Sequence, residues 1–206
     1  MNRHKHINWF FTYLGIFFIV LIIGTLVHEF GHYIVAVIYG VPARIAYAYT
    51  FYYGPLTAVQ RFWFLMGGPI SSWLVSIVGI TVILIKYRHM HSEDEKTIGI
   101  GQILSITATS FCIRFIFNAG WYFINTTLLG NSSSADEAKI ARDYLHINPD
   151  LLMYGSAVVA LAFIIIALYY IPRFQRYIIL IGGITGGILG YLFWNYWIGP
   201  IVLPVP

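Results

Sequence analysis

Charge is what this chain has least of. Only 10% of its 206 residues are Asp, Glu, Lys or Arg, against about 25% in ordinary globular proteins. With 59% of the residues hydrophobic, there is too little polar surface to coat a water-soluble core. That excludes a soluble globular domain and predicts one integral-membrane domain over residues 1–206. The net charge of +4 comes from few, scattered groups, so no face for nucleic acid is expected. Cysteine is nearly absent as well. The single Cys112, in an apolar run, excludes an intrachain disulfide and leaves the redox compartment open. No small-residue cleavage site follows the first apolar run behind the basic start MNRHKHIN, so an uncleaved first span is expected rather than a removed signal peptide. Repeats, low-complexity tracts and a second, soluble domain are also missing.

Long apolar runs are what the chain does have. A spanning helix needs about 20 mostly apolar residues, and five stretches qualify: 9–39, 59–87, 97–129, 151–171 and 177–198. Their length excludes strands, because only helices or closed barrels satisfy the backbone in lipid. The expected fold is an all-α polytopic membrane protein, multi-pass, in the cell membrane, with the lipid bilayer as its surroundings. The first run is over-long and must tilt or protrude; Gly40 and Pro42 stop it.

Between the first two runs, VPARIAYAYTFYYGP alternates with a period of two and is rich in aromatics. It reads as a short strand or hairpin, with an interfacial aromatic belt as the equal alternative. The connection KYRHMHSEDEKT reads as a solvated charged loop. In GNSSSADEAKIARDYLHINPD, Ser134 and Glu137 have the spacing of a capping box, which predicts a short amphipathic helix there.

Against this background TLVHEFGHYIVAV stands out. A charged group at the centre of a bilayer costs about 2.5–3.5 kcal/mol, and intramembrane ionisable residues are functional by default. His28 and His32 are four apart, so on a helix they share one face, at a separation that one Zn²⁺ ion bridges. Glu29 stands beside the first of them, where a general base for water is needed. Catalytic zinc keeps three protein ligands and an open position. Of the remaining histidines, His4, His6, His89 and His91 fall on the far side of the membrane if there are five spans. His146, Asp136, Glu137, Asp143 and Asp150 fall in the third loop, on the same side as the histidine pair. Topology selects that loop and leaves the choice among them open. Arg114 is the other intramembrane charge, expected to pair with Glu29 or a site carboxylate, or to snorkel to an interface, in a structural rather than a catalytic role.

VHEFGHYIVAVIYGVPARI followed by an aromatic strand resembles the start of the site-2 proteases, the intramembrane zinc metalloproteases. GGPISSW, residues 67–73, is similar to that family's Gly-Pro-x-x-Asn-Phe segment, with Ser72 in the asparagine's place. The likeness covers about residues 9–75. The family's later Leu-Asp-Gly segment is missing; Asn118 and Asn148-Pro149 are fragments of it at the wrong spacing. SADEAKIARDYLHI resembles the aspartate and short helix of small, divergent members. The resemblance therefore implies His28, His32 and Asp136 as zinc ligands and Glu29 as the catalytic base. It also implies a membrane-protein substrate held as an added strand, with Tyr47, Tyr49, Phe51, Gly68 and Pro69 as substrate-binding candidates. No PDZ-like insertion is present.

Two functions compete. One is a zinc endopeptidase cutting membrane-embedded or juxtamembrane bonds; the other is a metal-binding transporter, sensor or inactive relative without hydrolysis. Transporters need polar groups along a path, whereas here Glu29 is the only acid within the expected spans, which favours the enzyme. Orientation is contested. Seven Lys and Arg on the N-terminal side against four on the other favour a cytoplasmic N-terminus, while the resemblance implies the reverse.

Overall fold

Apolar length decides the architecture. The computed structural model describes residues 3–87 and 98–206, so most of the charged connection after the second run lies outside the described residues. The chain is an all-α polytopic membrane fold with a two-stranded antiparallel sheet. Its elements are α1 (Arg3–Ile38), β1 (Ala43–Ile45), β2 (Thr50–Tyr52), α2 (Ala58–Lys86), α3 (Ile100–Thr109), α4 (Ile113–Phe123), α5 (Asp136–Lys139), α6 (Pro149–Tyr169), α7 (Arg173–Phe193) and α8 (Gly199–Val202). A 3₁₀ turn joins α3 to α4, and π turns follow α4, α5 and α7. Among the described residues five helical stretches are long and apolar enough to cross a membrane: Ile7–Ile38, Ala58–Lys86, Ile100–Leu128, Pro149–Tyr169 and Gln175–Val202. The 36 residues of α1 make about 54 Å of helix, against about 30 Å of hydrocarbon. Tilt or protrusion is therefore obligatory.

The helix starts have local causes. Thr57 and Gln60 form a complete capping box for α2. Asn148 accepts from the Asp150 N–H, and Pro149 occupies the first turn of α6. The capping box expected from Ser134 and Glu137 does not form. The residue before α5 is Ala135, with no side-chain cap, and its N–H donates to Ser133 Oγ at 3.2 Å. Glu137 is buried and turned to Asn118, whose Nδ2 donates to Glu137 Oε2 at 3.5 Å. Its carboxylate therefore cannot reach back to the helix start.

The period-two segment is a hairpin. Ala43 pairs with Tyr52, Arg44 with Phe51 and Ile45 with Thr50, and the Ala46 N–H closes the turn on the Tyr49 carbonyl at 2.7 Å. With the Tyr53 N–H on the Pro42 carbonyl, the bonded pairs alternate so that Thr50 and Tyr52 point their N–H and C=O groups away from β1. An apolar cluster of Ala36, Leu56 and Phe64, with Val41, Ala43 and Tyr52 against it, fastens the hairpin to the end of α1 and the start of α2. The larger core lies toward the other end, where Tyr13, Phe17, Ile80, Ile83, Ile106, Ala167 and Ile179 join five helices.

Close helix crossings run along α1. Gly182, Gly186 and Gly190 of α7 lie on the backbones of Phe10, Leu14 and Phe18, the small-residue packing that lipid favours because apolar side chains gain nothing by leaving it. On the other side, Gly31 of α1 and Gly67 of α2 meet backbone to backbone. Two adjacent glycines separate packing from propensity. A Cβ on Gly186 would overlap the Leu14 carbonyl, while one on Gly187 would meet only Leu21 Cδ1 at 4.0 Å. Gly186→Ala should destabilise by about 1–3 kcal/mol through overpacking, and Gly187→Ala should stabilise by up to about 1 kcal/mol through helix propensity. Thermal denaturation of the two variants in one detergent checks the opposite signs.

Candidate metal centre

Helical spacing builds the first half of the site. His28, Glu29 and His32 on α1 are 0%, 3% and 4% exposed, and each offers a ligand atom within 4.8 Å of the others. This group can hold a metal ion. The second half comes from the third loop, where α5 opens on Asp136. Asp136 Oδ2 lies 3.1 Å from His28 Nε2 and 3.2 Å from His32 Nε2, and the two Nε2 atoms are 3.2 Å apart. A four-coordinate ion with bonds of about 2.0–2.1 Å holds its donors about 3.3 Å apart. The three atoms thus outline one face of such a coordination shell.

The chemistry of the donors agrees with their spacing. The Phe64 carbonyl can only accept, so the 2.6 Å contact from His32 Nδ1 fixes the ring proton there and turns the Nε2 lone pair inward. His28 Nδ1 faces Ser72 Oγ at 3.2 Å, a hydroxyl that can accept the ring proton and so leave a lone pair on the second Nε2 as well. With both rings in that tautomer, two imidazole lone pairs and a carboxylate oxygen converge on one point, an arrangement that a cation relieves. Such outer partners of metal-binding histidines fix tautomer and ring orientation.

The space for an ion is set by Gly68. A Cβ there would overlap both His32 Nε2 and His28 Nε2, so only glycine leaves the cradle open. Pro69 follows inside α2, where it withholds an N–H from the Leu65 carbonyl and loosens the turn that presents Phe64. Gly68, expected as a substrate contact, thus stands against the histidine pair itself, and Pro69, expected as another, is buried beside it in α2.

Glu29 stays outside the tight triangle. Thr50 Oγ1 lies 2.8 Å from the Glu29 carbonyl and 3.1 Å from Glu29 Oε2, tying the carboxylate to β2. Of the expected aromatic contacts, Phe51 is on β2, while Tyr47 and Tyr49 sit in the turn. The three rings run in series at centroid separations of 6.4 Å. The Tyr47 backbone is clamped by the end of the chain: its N–H donates to the Leu203 carbonyl at 3.0 Å, and its carbonyl accepts from Trp194 Nε1 at 2.7 Å.

The other third-loop candidates are elsewhere. Asp143 pairs with Arg142 at 2.6 Å, and the guanidinium holds its carboxyl below the ordinary value. Asp150 accepts from the Tyr122 hydroxyl at 2.8 Å. His146 ends the π turn after α5 in a left-handed conformation. Glu137 is turned to Asn118, and burial pushes its carboxyl up. His89 and His91 lie outside the described residues, as do the side chains of His4 and His6. Arg114 forms no ion pair among the described residues, neither with Glu29 nor with another site carboxylate. Thr50 and the Phe64 carbonyl were not anticipated. Thr50 had a signal, as the one hydroxyl without a ring in an aromatic hairpin; a backbone acceptor has none.

Compared with known proteins, the chain matches no family model, no curated protein and no solved structure. The geometry is therefore the ground for any reading of its role. Gly68→Ala keeps every donor residue but sets a methyl group where the two Nε2 atoms lie, so that the rings must give way. It should abolish metal retention while the protein stays folded, as read by metal analysis of purified protein beside its melting temperature.

Proposed function

We propose that this protein is a zinc endopeptidase of the site-2 protease kind, cutting membrane-embedded or juxtamembrane peptide bonds. The observation that carries the reading is the convergence of His28, His32 and Asp136 beside a buried carboxylate, Glu29, that is left out of their triangle. Ligands and base have separate places, as hydrolysis requires and simple metal storage does not. Two imidazoles and a carboxylate are a common ligand set of hydrolytic zinc. When bound, zinc supplies a Lewis acid that lowers the pKa of water and polarises a carbonyl.

The chain's own residues account for the rest. Glu29 takes a proton from the attacking water and returns it to the leaving amide nitrogen as the C–N bond breaks. Thr50 holds that carboxylate in line. A helical substrate hides its backbone, so it must unwind to be cut. The outward N–H and C=O groups of Thr50 and Tyr52 offer it a strand to pair with, beside the base. The rings of Tyr49 and Phe51 line that approach. The substrate class is accordingly a single-span or small membrane protein presented in extended form.

The test joins metal analysis to cleavage of a single-span reporter. Purified protein should hold about one zinc ion, lost in His28→Ala and Asp136→Ala. Glu29→Gln should keep its zinc and lose cleavage by about 10²–10⁴-fold. A wild type that holds zinc but cleaves no faster than Glu29→Gln would be a metal-binding membrane protein without hydrolysis, and the proposal would fall.

A further inference from the structure

The free edge of the hairpin and the base meet in one residue. Along a strand, side chains two apart share a face, and so do their outward amides. Thr50 and Tyr52 turn their N–H and C=O groups away from β1, and among the described residues no group bonds them. The side chains of the same two residues face the helices. Thr50 Oγ1 reaches α1, 2.8 Å from the Glu29 carbonyl and 3.1 Å from Glu29 Oε2. The Tyr52 ring packs edge-on against Phe64 at 5.0 Å, the residue whose carbonyl accepts from His32 Nδ1 at 2.6 Å. The strand edge left open thus touches both the base and the support of a ligand.

The Thr50 hydroxyl is not needed to fasten the hairpin. The cluster of Ala36, Leu56 and Phe64 holds Ala43 and Tyr52 at its open end, and Trp194 and Leu203 clamp its turn at Tyr47. A docking bond to α1 would also be complete with the Glu29 carbonyl alone. The carboxylate oxygen is a second acceptor for a hydroxyl that has one hydrogen. Thr50 therefore divides that hydrogen between the main chain and the side chain of Glu29. Which acceptor takes it depends on where the Thr50 Cβ stands, and that follows the backbone of a residue whose own amides are unpaired.

Building on the endopeptidase reading, we propose that Thr50 is a positioning residue that couples substrate docking to the base: a strand paired with its backbone settles its hydroxyl on Glu29 Oε2. Pairing takes up the Thr50 N–H and C=O and fixes the backbone, so the Cβ and the hydroxyl are fixed with it. The strand bonds offset that loss of freedom before any bond is cut. The carboxylate then starts in the geometry that the attack needs, where a misplacement of about 1 Å can cost about 10²-fold. An empty edge leaves the hydroxyl divided and the base unaligned. A helix passing the site has its amides already bonded and cannot align the base, whereas an unwound segment can. The edge thus discriminates between folded and extended forms of the same segment.

The experiment uses the full-length, zinc-loaded protein with two variants. Thr50→Val keeps the branched shape and strand preference but not the hydroxyl, and Thr50→Ser keeps the hydroxyl. An apolar peptide substrate is compared with copies that carry a single backbone N-methyl group. Copies whose KM rises in the wild type mark the amides that pair; if none does, no strand is added and the coupling falls. Thr50→Val should keep its zinc, melting temperature and KM and lose about 10–10²-fold in kcat, part of which Thr50→Ser recovers. At the pairing amides the methyl group should also lower the wild-type kcat, yet leave that of Thr50→Val unchanged, because the link is already cut. Equal kcat losses from the methyl group in both proteins would overturn the coupling, as would full kcat in Thr50→Val. So would joint loss of zinc and melting temperature in both variants, which marks a structural fastening. If the wild type shows no Glu29-dependent cleavage, the endopeptidase reading fails, and the infrared carboxylate band of Glu29, identified by its loss in Glu29→Gln, still decides the coupling. Added peptide should shift that band in the wild type and not in Thr50→Val; an unmoved band in the wild type ends the proposal.

Discussion

The site depends on α1 and α2 touching without side chains between them. At Gly31 and Gly67 the two backbones meet, and the partners that α2 gives the histidines are fixed by that contact. Ser71 donates to the Val27 carbonyl at 2.9 Å and locks the crossing. One turn of α2 on the near side supplies the Phe64 carbonyl to His32, and one turn on the far side supplies Ser72 to His28. Gly68, between them, leaves room for what the rings point at. A slip of one turn, about 5.4 Å, would unmake all three relations together. In lipid, where apolar side chains gain nothing by association, such a contact is held by packing and a few hydrogen bonds.

The two ends of the bundle are built differently. At one end Tyr13, Phe17, Ile80, Ile83 and Ile179 make a core across several helices, with the Tyr13 hydroxyl on buried Gln175 at 2.7 Å. At the other end the elements are short: the hairpin, α5, α8 and all three π turns, Ile124–Leu128, Ile140–Leu145 and Trp194–Ile198. Such turns widen a helix and are frequent at functional sites. The well-packed end positions α1, while the irregular end brings Asp136 and Thr50 to it from two directions.

How much of this was legible in the sequence depended on whether the cause was local. The spans follow from apolar length, so the expected 9–39 and the observed Ile7–Ile38 differ by a residue or two. His28 and His32 follow from the helical repeat alone. The third loop was found by topology, but Asp136 could be picked from its neighbours only by resemblance, since spacing says nothing about which acid a short helix turns inward. The capping box at Ser134 failed because burial of Glu137 beside Asn118 outweighs a local hydrogen bond. Four of the five α7 glycines come in doublets, and composition does not say which of each pair lies on the α1 backbone. Arg114 was expected either to pair with a carboxylate or to snorkel to an interface, and that it makes no ion pair among the described residues is visible only once the acids are placed.

The clamp on the hairpin turn has a consequence for how the molecule comes into being. Tyr47 is held by Trp194 and Leu203, residues made some 150 positions later, and the histidine pair meets Asp136 only after three spans have been inserted. Early in synthesis the nascent chain carries Glu29 and both histidines but neither the third donor nor a fixed hairpin. Assembly order thus separates the motif from its setting: the cluster of His28, His32 and Asp136 forms only after the third span, and the hairpin turn is clamped only once Leu203 has been made.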